Sequence, residues 1–127
     1  MSRLNFQIEK TAKDSQARAG RFRTLHSEVL TPLFMPVATL GTVRAQKTET
    51  LFESGSQILL TNTYHLYQRP GLDVLKAFGG IHEFAKWPRS FLTDSGGYQI
   101  FSLPKHRETK EEGAWFRSQI DGAKIFL

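Results

Sequence analysis

The sequence contains no cysteine. That absence excludes a disulfide scaffold, a thiolate nucleophile and a cysteine-based zinc site within these 127 residues. Long apolar runs are missing too, since none reaches the ~18 residues of a membrane span. The N-terminal stretch MSRLNFQIEKTAKDSQARAGR has no apolar core, and acids and polar residues interrupt its basic ones. It reads as neither a secretory signal nor a transit peptide, so a cytoplasmic protein with no membrane partner is expected. A P-loop, a dinucleotide fingerprint and a Ser-His-Asp order are all absent. The four histidines, His26, His65, His82 and His106, lack metal-ligand spacing. There is no internal repeat and no low-complexity tract.

Aromatic residues are plentiful, with 10 Phe, 2 Trp and 3 Tyr, which is enough for a real core. Lys and Arg number 17 against 12 Asp and Glu, a net charge of +5. Such a surplus fits a polyanionic partner such as nucleic acid, and it equally fits a merely soluble basic surface. The length suits one domain and is about half of the ~250 residues a complete (β/α)₈ barrel needs.

Phe6 and Ile8 alternate with polar residues, as in a short strand. Thr11 to Gly20 is polar and ends in glycine, so it reads as a loop. Arg18, Arg21 and Arg23 gather nearby, more as a solvated hairpin face than as a phosphate site. Arg21–Leu25 and Val29–Leu30 read as hairpin arms around His26-Ser27-Glu28. Pro32 and Pro36 bracket a short apolar run that reads as a buried strand of a few residues. Ala45–Ser54 has helix formers, with Leu51 and Phe52 on one face and Gly55 as the stop. Gln57–Thr61 is a compact buried strand, and Asn62–Leu66 leads away from it. Arg69-Pro70-Gly71 is a turn. Leu72–Phe78 has near-helical spacing ended by Gly79-Gly80, and His82–Trp87 reads as a helical turn stopped by Pro88. Phe91–Thr93 is another short strand. Trp115-Phe116 and Ile125–Leu127 flank the hairpin signal Asp121-Gly122. The alternation in the middle predicts βα units of a parallel α/β sheet. The run ends on an apolar strand without a covering helix, so the chain is expected to be an incomplete piece of such a fold.

Asp94 is the strongest single candidate. It follows a buried strand and precedes Gly96-Gly97, where bare backbone admits a ligand closely. Polar residues at the C-terminal ends of parallel barrel strands point into the mouth where chemistry occurs. With Tyr98 as a stacking ring and Gln99 as an amide, the run suits a flat heterocycle. The competing reading makes Asp94 a helix cap or an Asx-turn. Asn62-Thr63-Tyr64-His65-Leu66 also leaves a strand end and is a candidate for substrate contact. For His65, a hydrogen-bonded structural imidazole competes with a catalytic base.

Thr31-Pro-Leu-Phe-Met-Pro-Val-Ala-Thr, Asn62-Thr-Tyr-His-Leu with Arg69-Pro-Gly, and Leu92-Thr-Asp-Ser-Gly-Gly-Tyr-Gln-Ile-Phe-Ser102 together resemble tRNA-guanine transglycosylase. Ser15-Gln-Ala-Arg-Ala-Gly20, Gly113 with Phe116-Arg-Ser118, and Asp121-Gly122 extend the resemblance along essentially the whole chain, to the bacterial type. The resemblance implies an N-terminal antiparallel sheet over about residues 1–31 and the first βα units of a TIM barrel over about 32–127. It implies exchange of guanine at the wobble position of tRNA for a 7-deazaguanine, on the way to queuosine, by covalent double displacement. It makes Asp94 a catalytic carboxylate acting as general acid/base, an older candidate for nucleophile. Ser95 and Gln99 become base-pocket residues and Tyr98 the stacking ring. Asn62 and His65 line the ribose side and support the carboxylates. Partners implied are tRNA, guanine and a 7-deazaguanine base, with a homodimer in the full-length family. Two readings compete with it: a non-catalytic tRNA-binding or partner-subunit relative, and a generic basic RNA-binding α/β domain.

Thr61, Ala38 and Ser27 stand where the family commonly has glycine, which places larger side chains at close-approach points. The family's nucleophilic Asp, its further base-reading residues and a zinc site of three Cys and one His lie beyond residue 127. The isolated chain is therefore expected to be inactive in base exchange and prone to aggregate through uncovered strand edges.

Overall fold

The computed structural model describes residues 4–102, 108–118 and 120–126. Three strands open the chain: β1 (Phe6–Thr11), β2 (Arg18–Arg23) and β3 (Glu28–Thr31). They form an antiparallel sheet in the order β1-β2-β3, with Phe6 opposite Phe22 and Phe22 opposite Val29. Gly20 ends no loop, as the sequence reading had it; it lies within β2. A β-carbon at Gly20 would stand 2.7 Å from both the Gln7 carbonyl and the Phe6 ring. Its glycine serves close approach between strands, which a turn signal read from sequence does not distinguish.

The Thr24 hydroxyl accepts the His26 and Ser27 N–H groups at 3.0 and 3.1 Å, which shapes the β2–β3 turn. Beyond β3, pairing resumes after Pro36 and not between the two prolines. Leu60 N–H donates to the Pro36 carbonyl at 3.0 Å, and Ala38 N–H to the Leu60 carbonyl at 2.7 Å. Phe34, in the middle of the expected buried run, is 80% exposed. Pro36 lacks an N–H yet keeps its carbonyl, so it can open a ladder but cannot continue one.

The parallel pair consists of β4 (Ile58–Asn62) and β5 (Ser90–Asp94), in register from Ile58 opposite Ser90 to Asn62 opposite Asp94. Val37 bridges Leu60 on the other side of β4, also parallel. The helix α1 (Thr48–Glu53) precedes β4. It begins three residues later than the composition predicts, because Ala45 sits at φ +60°, outside helical space. Between β4 and β5 run α2 (Thr63–Gln68), α3 (Leu72–Ala77) and α4 (Ile81–Ala85). Leu51 of α1, Leu59 of β4 and Ala85 of α4 join Ala38 and Trp87 in one core. On the opposite face Ile58 and Ser90 are buried, while Val37 and Leu92 further along are exposed.

After β5 comes α5 (Gly97–Ser102). A second antiparallel sheet, β6 (Glu108–Lys110), β7 (Gly113–Arg117) and β8 (Lys124–Phe126), follows in the order β6-β7-β8. The expected hairpin is present, with Trp115 opposite Phe126 and Gly122 at φ +74° in the turn. Phe116 and Ile125 pack with Tyr64 of α2 in a second core. His106 and Leu127, both weighed from sequence, lie outside the described residues. The described residues thus form a mixed α/β chain with three small sheets, of which the middle one is parallel.

Candidate active site

The C-terminal ends of β4 and β5 place Asn62 and Asp94 side by side, because the parallel register aligns them. Residues in register on neighbouring strands project to the same face. The Asn62 amide Nδ2 donates to Asp94 Oδ2 at 2.8 Å and to Gln99 Oε1 at 3.2 Å. Its Oδ1 accepts the His65 N–H at 3.3 Å, capping α2. The cap fixes which end of the Asn62 amide faces the carboxylate, since oxygen is taken by the helix and nitrogen is left for Asp94. Gln99 then presents its oxygen to Asn62, leaving its own NH₂ turned elsewhere.

The Asx-turn weighed for Asp94 is present on one of its oxygens, and the other has a different partner. Oδ1 accepts the Gly96 N–H at 3.4 Å, as an Asx-turn does, while Oδ2 takes the Asn62 amide. Thr39, Thr61, Asn62, His65, Asp94 and Gln99, with Val37 and Leu60, line a cavity of about 210 Å³. A larger concavity of about 340 Å³ lies on the N-terminal hairpin beside Lys10 and Arg18, but no carboxylate, amide or imidazole lines it.

The structure therefore gathers four of the candidate residues, Asp94, Asn62, His65 and Gln99. It does not bring Ser95 or Tyr98 to the cavity lining. Ser95 Oγ accepts the Gly97 N–H at 3.3 Å, and the Tyr98 ring is 79% exposed on α5. Thr39 and Val37 line the cavity without having been expected there. The signal for them was the ladder restarting at Pro36, which sets their register against β4.

The residues standing in place of glycine have each found a contact. Thr61 Oγ1 donates to the Leu92 carbonyl at 3.3 Å. Ala38 is fully buried in the first core. Ser27 Oγ lies 2.6 Å from Ser90 Oγ and accepts the Ser90 N–H at 3.1 Å.

A carboxylate, two amides and an imidazole thus converge at the C-terminal ends of a parallel strand pair, the end at which α/β folds bind ligands. The family model of queuine tRNA-ribosyltransferase matches residues 13–127, and the chain belongs to that family. The queuine tRNA-ribosyltransferase of Halalkalibacterium halodurans is 50% identical over 127 residues, all of this chain and 34% of its own length. That of Acinetobacter baylyi is 53% identical over 121 residues, 95% of this chain and 31% of its own length. That of Fusobacterium nucleatum is 53% identical over 124 residues, 98% of this chain and 33% of its own length. The chain thus spans about a third of the length of the curated relatives it matches.

The zinc site that the resemblance implies does not fit the residues present. The sequence has no cysteine, and among the described residues no three His, Asp or Glu side chains gather as ligands.

Proposed function

We propose that this chain supplies the Asp94 portion of the base-exchange site of a tRNA-guanine transglycosylase, within the first βα units of a (β/α)₈ barrel. The observation that carries the reading is the 2.8 Å bond from Asn62 to Asp94 at paired strand ends, in a chain of this family. Guanine at the wobble position of tRNA is exchanged for a 7-deazaguanine in the cytoplasm, in a homodimer of the full-length protein. The target nucleotide leaves the stack so that its ring reaches the cavity. A carboxylate outside this chain attacks the ribose carbon and holds the tRNA while the bases swap.

Asp94 acts as general acid/base toward the departing and arriving rings. Its carboxylate accepts a ring proton or returns one, and the Asn62 amide steadies the ionised form by a charge-assisted bond. The Gln99 amide and His65 border the same cavity and orient the ring and ribose. Ser95 enters this reading as a base-pocket residue and Tyr98 as the stacking ring, which is exposed in this chain.

Fusion tests the reading. Residues 1–127 joined to the remaining length of the Halalkalibacterium halodurans relative should incorporate labelled guanine into unmodified tRNA, whereas the 127-residue chain alone should not. Incorporation by the lone chain, or a folded fusion that never exchanges base, contradicts it.

A further inference from the structure

We propose that Gly96 is the positioning residue of the Asp94 carboxylate, an inference that rests on the base-exchange reading above. Asp94, Asn62 and Gln99 come from three places: the end of β5, the N-terminus of α2 and the first turn of α5. Gly96 touches all three. Its N–H donates to Asp94 Oδ1 at 3.4 Å. Its carbonyl accepts the Ile100 N–H at 3.2 Å, closing the turn that carries Gln99. Its α-carbon lies against Tyr64, the second residue of α2, where an added β-carbon would stand 2.5 Å from Tyr64 Cβ and 3.1 Å from Tyr64 N.

Tyr64 has no room to retreat. It is buried, its ring centroid lies 5.1 Å from that of Phe116, and its helix is tied at the next residue to the Asn62 cap. Carbon atoms in contact sit about 3.5–4.0 Å apart, so a methyl at Gly96 must part α2 from the segment after Asp94 by roughly 1 Å. The Asn62–Asp94 bond borders that gap, two residues before Tyr64 on one side and two before Gly96 on the other. Gly96 does not line the cavity and acts through Asn62 and Asp94.

Gly55 supplies the control. Its φ of +82° matches the +80° of Gly96, and a β-carbon there meets nothing within 4 Å. Gly55→Ala carries the backbone strain without the collision. In the fused protein, ¹⁵N-resolved NMR follows the Asn62 side-chain amide while pH crosses the ionisation of Asp94. The amide should move with that ionisation in the unsubstituted chain and in G55A, and stop moving in D94N. In folded G96A the movement should fall about fivefold or more, since hydrogen bonds weaken steeply once displaced. Full movement in folded G96A, or equal loss in G55A, overturns the proposal.

Should G96A fail to fold, the unsubstituted chain decides. The Gly96 backbone amide and the Asn62 side-chain amide should share one titration midpoint, lost from both in D94N; two separate midpoints overturn the proposal. None of these readouts needs tRNA, so failure of the exchange reading would leave them unchanged. In the active fusion, G96A should lower kcat more than it raises KM, and unchanged kinetics in G96A would overturn the positioning role alone.

Discussion

Asn62 carries two jobs on one side chain, and they can be separated by substitution. Asn62→Ala removes the α2 cap and the carboxylate's partner together; the cap alone should cost about 1 kcal/mol in a denaturation experiment. Asn62→Asp keeps a capping oxygen but sets a second carboxylate beside Asp94, at the place of a 2.8 Å bond. Two neighbouring carboxylates raise one another's affinity for a proton in the folded state. A folded pKa above the unfolded one gives stability that is present at low pH and lost as pH rises. N62D should therefore gain thermal stability on acidification from neutral pH relative to the unsubstituted chain, and a parallel pH profile would contradict the shared geometry. At this scale the sequence was informative about Asp94, Asn62, His65 and Gln99, because strand ends and polar side chains are visible in a string. The absence of Tyr98 from the cavity lining was not legible. Whether a helix turns a ring inward depends on the phase of α5, which six residues with no apolar stripe do not fix.

Among elements, the join between the N-terminal sheet and the parallel strands is built from hydroxyls. Ser90 Oγ lies 2.7 Å from Thr24 Oγ1 and 2.6 Å from Ser27 Oγ, and Trp87 Nε1–H donates to the Ser90 carbonyl at 3.0 Å. Ser90 is buried, and Ser90→Ala takes a partner from the half-buried Thr24 and Ser27 hydroxyls, so it should cost about 0.5–1.5 kcal/mol in chemical denaturation. Ser27, read from sequence as a larger side chain at a close-approach point, bonds Ser90 through its hydroxyl. Hydrogen-bond partners 63 residues apart are invisible to local pattern.

His26 stacks on His82 at the same join, with ring centroids 3.6 Å apart. Burial, and then the neighbouring His26, hold the His82 imidazole below its ordinary value of 6.5, against opposing contributions from the Arg89 backbone and Glu83. The unfolded chain therefore binds the proton more readily, and stability falls as pH drops below 6.5. The melting temperature should decline between pH 7.5 and 5.5, and His82→Phe should flatten that decline; a slope unchanged in H82F would remove His82 as its cause.

For the whole molecule, the parallel pair has helices on one face, and the other is covered only at its Ile58–Ser90 end. Val37 is 54% and Leu92 40% exposed on the other, and among the described residues β5 pairs with β4 alone. An open parallel edge beside exposed apolar side chains invites association with further strands. Sedimentation should show the 127-residue chain self-associating as concentration rises, and the fusion with the remaining length of a relative should suppress it. The alternation of strands and helices was readable from sequence, since Gln57–Thr61 and Phe91–Thr93 are short apolar runs bounded by turn residues. The helix at Thr63–Gln68 was not, because its start is set by the Asn62 side chain turning onto its own backbone and not by apolar periodicity.

The central claim is that Asp94, held by Asn62, moves protons for base exchange. Guanine incorporation into tRNA by the fused protein, compared between Asp94 and Asp94→Asn, tests it most directly. The substitution keeps shape and removes the proton-carrying group, so kcat should fall by about 10²–10⁴-fold while the fold and its melting temperature are retained. A folded D94N fusion that exchanges guanine at the rate of the unsubstituted protein would contradict the account.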